Sequence, residues 1–375
     1  MSGSRSPRDR GAFALLVRVA VFLLVFGGFA EVWFRTVMPA CQTPMYYQQD
    51  PSAINRFDAL GPASGLFTVG RMCRRGGEWL INEAGWNSAV PYVGAAARHK
   101  PLVALFGDSY IEGLLTNADQ HIDAYLPRML PGTSSYAFGQ SGWYLEQYVA
   151  VSRYAQPRYQ PDVLVIFVDE SDVTDSLRAE GTPSPFWWQI GARGASFEEL
   201  PPLQVYMSTR KAALAKKSAL IDYLRYNAQL SLPGMRTSAI AQPGASSAGQ
   251  PGSGGASAQA WRTLLPAARF MVDRLCAQHP GTPIIFVAQS TSASERYLPV
   301  ATPTRAPLFP DGKAVQIASQ GQPQCSFIDL RYAFSRDWAA HRVRFEAADG
   351  GHWNAYANRL VARTLADFIT QHHLL

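Results

Sequence analysis

Two short motifs, far apart in the chain, carry residue types that do chemistry together. Gly107-Asp108-Ser109 follows the apolar run Leu102-Val103-Ala104-Leu105-Phe106, and Asp349-Gly350-Gly351-His352 stands just before the last helix-like segment. A serine hydroxyl is a weak nucleophile until a base takes its proton, and an imidazole is a directed base once a carboxylate sets its tautomer. Three residues apart, Asp349 and His352 reach one cleft from one loop. The carboxylate can then accept from one ring nitrogen and leave the other facing Ser109. Taken alone, Asp-x-x-His also suits a helix cap followed by a surface histidine. The strand-end serine is what favours the catalytic reading. His99, His121, His279, His341, His372 and His373 have no such context and read as surface or structural.

Elements must bring these residues together. Leu102–Phe106 is a continuous apolar run ending at Gly-Asp, as a strand buried on both faces would be. Further strands are expected over Ser135–Phe138, Val163–Val168, Pro283–Ala288 and Ser326–Leu330. Helix-like spacing covers His121–Leu130, Trp143–Tyr154, Ala267–Gln278 and Trp353–Gln371. Strands alternating with helices imply an α/β fold with a mainly parallel sheet, and ligands of such sheets sit beyond the carboxyl ends of the strands. Ser109 is expected there, opening a turn rather than packed in a helix. Residues 35–100 form an N-terminal extension, and 41–100 carry no clear period. An insertion over about 174–235 contains Phe186-Trp187-Trp188 and a helix-like Leu220–Leu230. Residues 238–259 are almost all Ala, Gly, Ser, Pro and Gln, which reads as a flexible loop.

The N-terminus has its own character. Residues 1–11 form a basic tail with Arg5, Arg8 and Arg10, and 12–34 are apolar apart from Arg18 and Glu31. About 20 helical residues cross a bilayer core of roughly 30 Å. The flanking arginines place the tail in the cytoplasm and the rest outside, as a single-pass signal-anchor of the inner membrane. A cleaved signal is the rival, and Met38-Pro39-Ala40-Cys41 loosely matches a lipoprotein cleavage site apart from Pro39. Cys41, Cys73, Cys276 and Cys325 all follow the span, where disulfides persist. Cys41–Cys73 with Cys276–Cys325 is the expected pairing, four buried free thiols the alternative. The net charge of +6 is dispersed, without the basic stripe and interleaved aromatics of a nucleic-acid binder.

From about residue 101 onward the chain resembles the SGNH (GDSL-type) hydrolases. Gly107-Asp108-Ser109-Tyr110 is similar to their nucleophile block, Gly139-Gln140-Ser141-Gly142 to the second block, and Asp349-Gly350-Gly351-His352-Trp353-Asn354 to the last. The resemblance implies a three-layer, flavodoxin-like sandwich over 101–375. It makes Ser109 the nucleophile, with His352 as base and Asp349 orienting it. The oxyanion donors it implies are the N–H groups of Ser109 and Gly142. The third block departs: where the family has Gly-x-Asn-Asp, Val168 is followed by Asp169-Glu170-Ser171-Asp172. Ser171 falls at the position of the Asn whose amide completes the oxyanion hole. A hydroxyl is shorter and rotates freely, and one preorganised donor is worth about 10²–10³ in rate.

The implied reaction is acyl transfer through an ester on Ser109, to water in an esterase or to a sugar hydroxyl in an acyltransferase. It requires no metal or organic cofactor. Placement outside the membrane suggests an acylated carbohydrate of the envelope or an exported polysaccharide. Trp143, Phe186, Trp187 and Trp188 would stack on sugars or pack in the core. The competing reading is a catalytically weak or inactive protein of the same fold that binds glycan or scaffolds polysaccharide export. A lipase or thioesterase fits less well, since no extended apolar insertion adjoins the blocks.

Overall fold

The computed structural model describes residues 7–47, 54, 56–57, 63–178, 187–193, 196–202, 214–230, 258–289, 296–297 and 308–375. Phe186 and nearly all of the Ala/Gly/Ser/Pro/Gln stretch lie outside these; its last two residues open a helix.

Five strands form one parallel sheet: β5 (Leu102–Gly107), β6 (Ser134–Gly139), β7 (Val163–Val168), β10 (Ile284–Ala288) and β11 (Cys325–Asp329), in the order β11-β10-β7-β5-β6. Every neighbouring pair is parallel. Side chains alternate between the faces. Leu102, Ala104, Phe106, Leu164, Ile166 and Phe286 share one core with Tyr148, Val151, Met271 and Val315. Val103, Leu105, Val165, Phe167 and Val287 share the other with Leu126, Phe334, Val361 and Leu365. Helices Leu145–Tyr159, Ala258–Gln278 and Pro310–Ser319 thus cover one face, and Ile122–Met129, Leu330–His341 and Ala355–Gln371 the other. Burial on both faces is why the central strands read as unbroken apolar runs.

The chain enters the sheet at β5, moves out to the edge at β6, then crosses back over β5 to β7. After β5 it packs on one face, through Ile111 and Ile122. After β7 it packs on the other, through Val173. The crevice beyond the carboxyl ends of β5 and β7 is therefore a topological switch point, where open α/β sheets bind ligands.

Residues before the sheet form two antiparallel hairpins, β1 (Tyr46–Tyr47) with β2 (Arg56–Phe57) and β3 (Ser64–Val69) with β4 (Arg74–Leu80). The second shifts register between Leu66 and Thr68, which erases an alternating pattern. A third hairpin, β8 (Gln189–Arg193) with β9 (Ser196–Leu200), lies in the insertion. The expected helix over Leu220–Leu230 is instead one α turn, Ala219–Asp222, running into a π turn at Tyr223–Asn227.

The N-terminal helix spans Pro7–Thr36, and Phe13–Thr36 is long and apolar enough to cross a membrane. Its far end is built into the rest of the chain. The Glu31 carboxylate accepts from Ser218 Oγ (2.8 Å) and from the Ala219 and Leu220 amides (both 2.9 Å). Phe34 stacks on Tyr223 at 3.8 Å. Just beyond, Cys41 N–H donates to Asn227 Oδ1 at 2.7 Å, and Trp79 Nε1 donates to the Gln42 carbonyl at 2.8 Å.

The disulfide expectation is corrected: all four cysteines are free thiols. Cys276 and Cys325 do meet, with Sγ atoms 3.2 Å apart, but that is a thiol contact and not an S–S bond.

Candidate active site

Ser109 does not sit in an open turn. It is the first residue of a one-turn helix, Ser109–Glu112, capped by Asp108, whose carboxylate accepts from Tyr110 N–H at 3.0 Å. The cap forms because the chain must reverse off β5 into that turn, and an aspartate at the N-cap satisfies a donor the helix leaves free. As the first helical residue, Ser109 points its own N–H out of the helix end.

His352 arrives from a loop clipped at both ends. Ala347 N–H donates to the His352 carbonyl (2.8 Å), Asn354 N–H to Phe345 (2.8 Å), and Glu346 bridges to Trp353. Asn354 then caps the final helix through Ala357 N–H at 3.0 Å, so the helix begins at Ala355, two residues later than its apolar pattern suggests. In this setting His352 Nε2 lies 2.7 Å from Ser109 Oγ, and Nδ1 lies 2.5 Å from Asp349 Oδ2. Asp349 Oδ1 accepts from the amides of Gly351 (3.1 Å) and His352 (3.2 Å). Burial pulls the Asp349 carboxyl upward, but its bond to His352, the histidine's charge and the two amides outweigh that and hold it below the ordinary range. Asp349 thus stays ionised, and its bond to Nδ1 leaves Nε2 to accept the serine proton.

Gly142 lies three residues past the end of β6, whose Gly139 is in register with Gly107. Its φ of +79° is a conformation glycine adopts freely. Glu112, buried in the nucleophile helix, accepts from Ser141 N–H (3.0 Å) and from the Ser141 hydroxyl, which pins the turn carrying Gly142. The two parts are pressed together: a Cβ on Gly139 would lie 2.5 Å from the Glu112 nitrogen.

The third expected donor is used elsewhere. Ser171 is exposed, and its single hydroxyl proton goes to Asp175 Oδ2 at 2.6 Å. Beneath it three carboxyl groups crowd together. Asp172 accepts from Asp169 N–H (2.8 Å) and Tyr148 OH (3.2 Å), while Asp108 also accepts from Gln289 Nε2 (3.3 Å). Burial pushes Asp108 up. Burial and the Asp108 charge push Asp169 and Asp172 well above the ordinary range. Burial and the neighbouring Asp108 charge thus work against an ionised Asp169.

Tyr110 braces His352. Its ring lies 4.7 Å from that of His352 and 4.7 Å from that of Trp353. Its hydroxyl accepts from the fully buried Arg296 (3.3 Å) and donates to the Gly351 carbonyl (3.4 Å). Arg296, Gln289, Glu112 and Glu346 are absent from the sequence reading, since no local pattern marks a polar residue that acts by reaching across the fold. His279 is structural: buried, bonded to Ser152 Oγ and Gln156 Oε1, its pKa is pushed down to about 4 by burial. Of the aromatics expected to stack on sugars, the three described ones, Trp143, Trp187 and Trp188, pack on the core instead. Trp143 is buried edge-on against Trp86, and Trp187 and Trp188 lean on the same core.

No protein-family model matches the chain, and no curated protein matches it. Solved structures with a distant likeness include a salicylyl-acyltransferase from a tetracycline biosynthetic pathway (13% identity, TM-score 0.40, covering 74% of this chain and 56% of that one). A carbohydrate esterase family 2 enzyme from Corynascus thermopiles (Myceliophthora fergusii) is similar at 14% identity and TM-score 0.35, covering 75% of this chain and 68% of that one. A GDSL-like lipase from Bacteroides ovatus is similar at 11% and 0.36, covering 72% and 53%. These scores are too low to carry an argument about chemistry, which rests on the geometry above.

Proposed function

We propose that this chain is a serine-dependent O-acyl ester hydrolase or O-acyltransferase acting on an acylated carbohydrate of the cell envelope or an exported polysaccharide. The observation that carries the reading is the unbroken relay Asp349–His352–Ser109, with contacts of 2.5 and 2.7 Å. Ser109 Oγ attacks the ester carbonyl while His352 Nε2 takes its proton. The tetrahedral oxyanion is held by the N–H groups of Ser109 and Gly142. His352 then protonates the departing alcohol, and water or a sugar hydroxyl, deprotonated by the same nitrogen, releases the acyl group.

The domain works outside the inner membrane, on an uncleaved anchor. Two contacts support this. Glu31 caps the Ala219 turn, and the Cys41 amide is held by Asn227 inside the fold. Cleavage before Cys41 would remove the first and turn the second into a buried terminus.

A fluorophosphonate probe applied to the full chain in detergent tests the reading. Wild type should be labelled. Ser109→Ala should lose labelling and at least about 10³-fold of aryl-acetate turnover, with unchanged circular dichroism. An unlabelled wild type would sink the catalytic reading and leave the glycan-binding one, which expects polysaccharide retention to survive Ser109→Ala.

A further inference from the structure

Beside the catalytic loop lies a cleft of about 600 Å³ whose lining includes Arg74, Tyr297, Trp338, Arg344, Glu346 and Asp349. It opens against the Asp349-Gly350 turn that orients His352. Its charges are unequally committed. The Asp349 carboxylate is bound to His352, and Glu346 takes the Tyr297 hydroxyl and faces the buried Arg296 guanidinium at 3.5 Å. Both acids are therefore hydrogen-bonded from within the fold, and Glu346 also has a cation partner in Arg296. Arg74 and Arg344 are exposed, and among the described residues neither has an ion pair. Two guanidinium groups without carboxylate partners line one recess beside the Asp349 loop, and each has donors to offer an anion.

The remaining walls indicate what carries the anion. Tyr297 and Trp338 meet edge to face at 4.6 Å, and Arg342 lies over the Trp338 ring at 5.3 Å. Aromatic side chains beside hydrogen-bonding cations suit a sugar ring, whose C–H faces pack on rings while its polar edge is bound. The volume is that of a small-ligand site.

We propose that this cleft is a subsite for a carboxylate-bearing sugar, so that the polysaccharide acted on is acidic, with a uronate-type residue seated beside the one whose ester reaches Ser109. The turnover part of this rests on the acyl-transfer function proposed above; the binding part does not. A carboxylate on the acyl group itself is the other source of the same chemistry, and the experiment separates the two.

The full chain in detergent is assayed with an O-acetylated oligouronate, an O-acetylated neutral oligosaccharide, and a neutral oligosaccharide carrying a succinyl ester. Binding of the unacetylated oligouronate is measured in parallel by calorimetry on Ser109→Ala. Wild type should prefer the acetylated uronate over the acetylated neutral sugar by tenfold or more in kcat/KM. In Arg344→Gln and Arg74→Gln that ratio should fall towards one, chiefly through KM, and the calorimetric affinity should weaken about tenfold. Equal turnover of the acidic and neutral sugars, or arginine variants that slow both alike, overturns the proposal. A preference that follows the succinyl group overturns the assignment to the sugar. If no ester is turned over while the oligouronate still binds through Arg74 and Arg344, the acyl-transfer function fails and the subsite stands.

Discussion

At the scale of single residues, the open matter is how the oxyanion is held. Ser171 occupies the position where the resembled family carries an amide donor, yet its proton is spent on Asp175. In the proposed mechanism two backbone N–H groups, of Ser109 and Gly142, are then left to hold the oxyanion. Ser171→Ala should lower kcat by less than about tenfold, where loss of a true oxyanion donor costs about 10²–10³; steady-state kinetics on an aryl acetate decide. The acids nearby make a second expectation. Asp172 has its pKa raised in the folded chain by burial and by Asp108 and Asp169. A raised carboxyl pKa means the folded state keeps a proton that the unfolded chain releases above about pH 4. Stability is then greatest below that pH and falls as pH rises towards the folded value, by up to about 1.4 kcal/mol per pH unit for one proton. Asp172→Asn cannot titrate, so thermal melts between pH 4 and 7 should show a shallower decline than wild type. A decline equally steep in the variant would mean that Asp172 is not the group that holds the proton.

At the scale of elements, the site depends on how closely the ends of β5 and β6 approach. Gly139 lets β6 lie against the nucleophile helix, and any side chain there meets backbone: the Glu112 nitrogen at 2.5 Å and the Ile111 carbonyl carbon at 2.6 Å. Backbone cannot rotate away, so the strand end and the helix must part. Gly139→Ala should cost about 1–3 kcal/mol, read as a Tm lowered by several degrees. It should also slow turnover, because the turn carrying Gly142 moves with β6. A variant with wild-type Tm and kcat would show that the two elements yield freely. The loop carrying Asp349 and His352 is different in kind. Its shape comes from hydrogen bonds and from Trp353 wedged against Tyr110 and Phe167. The imidazole is therefore held by core packing as much as by Asp349.

At the scale of the whole molecule, the N-terminal helix and the rest of the chain meet through Glu31. Its carboxylate caps the turn at Ala219 and Leu220, as an acid at a helix start does. Glu31→Ala leaves those amides without an acceptor, and a bond to a charged group contributes about 1.5–3 kcal/mol. Amide exchange at residues 219–220 should then rise by about tenfold or more, with aryl-ester turnover unchanged; unaltered exchange would assign the junction to the Phe34–Tyr223 stack instead. Much of the architecture was legible beforehand. The central strands, the last helix, the apolar N-terminal span and the Ser109, Asp349 and His352 types all follow from local rules: apolar runs, helical spacing, and motifs short enough to be read in one window. The hairpins before Leu102 escaped because short or bulged strands leave no period, and the helices Pro310–Ser319 and Leu330–His341 because their apolar spacing is weak. The opening pair, Gly-Asp-Ser and Asp-x-x-His, was determined by the sequence as a set of chemical capacities. What only the tertiary structure decided is which capacities are spent. Ser171 donates to Asp175, burial and Asp108 raise the Asp169 carboxyl, Glu112 holds the Gly142 turn, and Arg74 joins Arg344 in one cleft. Each depends on distances between residues that chain order leaves unconstrained, and electrostatic and hydrogen-bond energies are set by those distances and by burial.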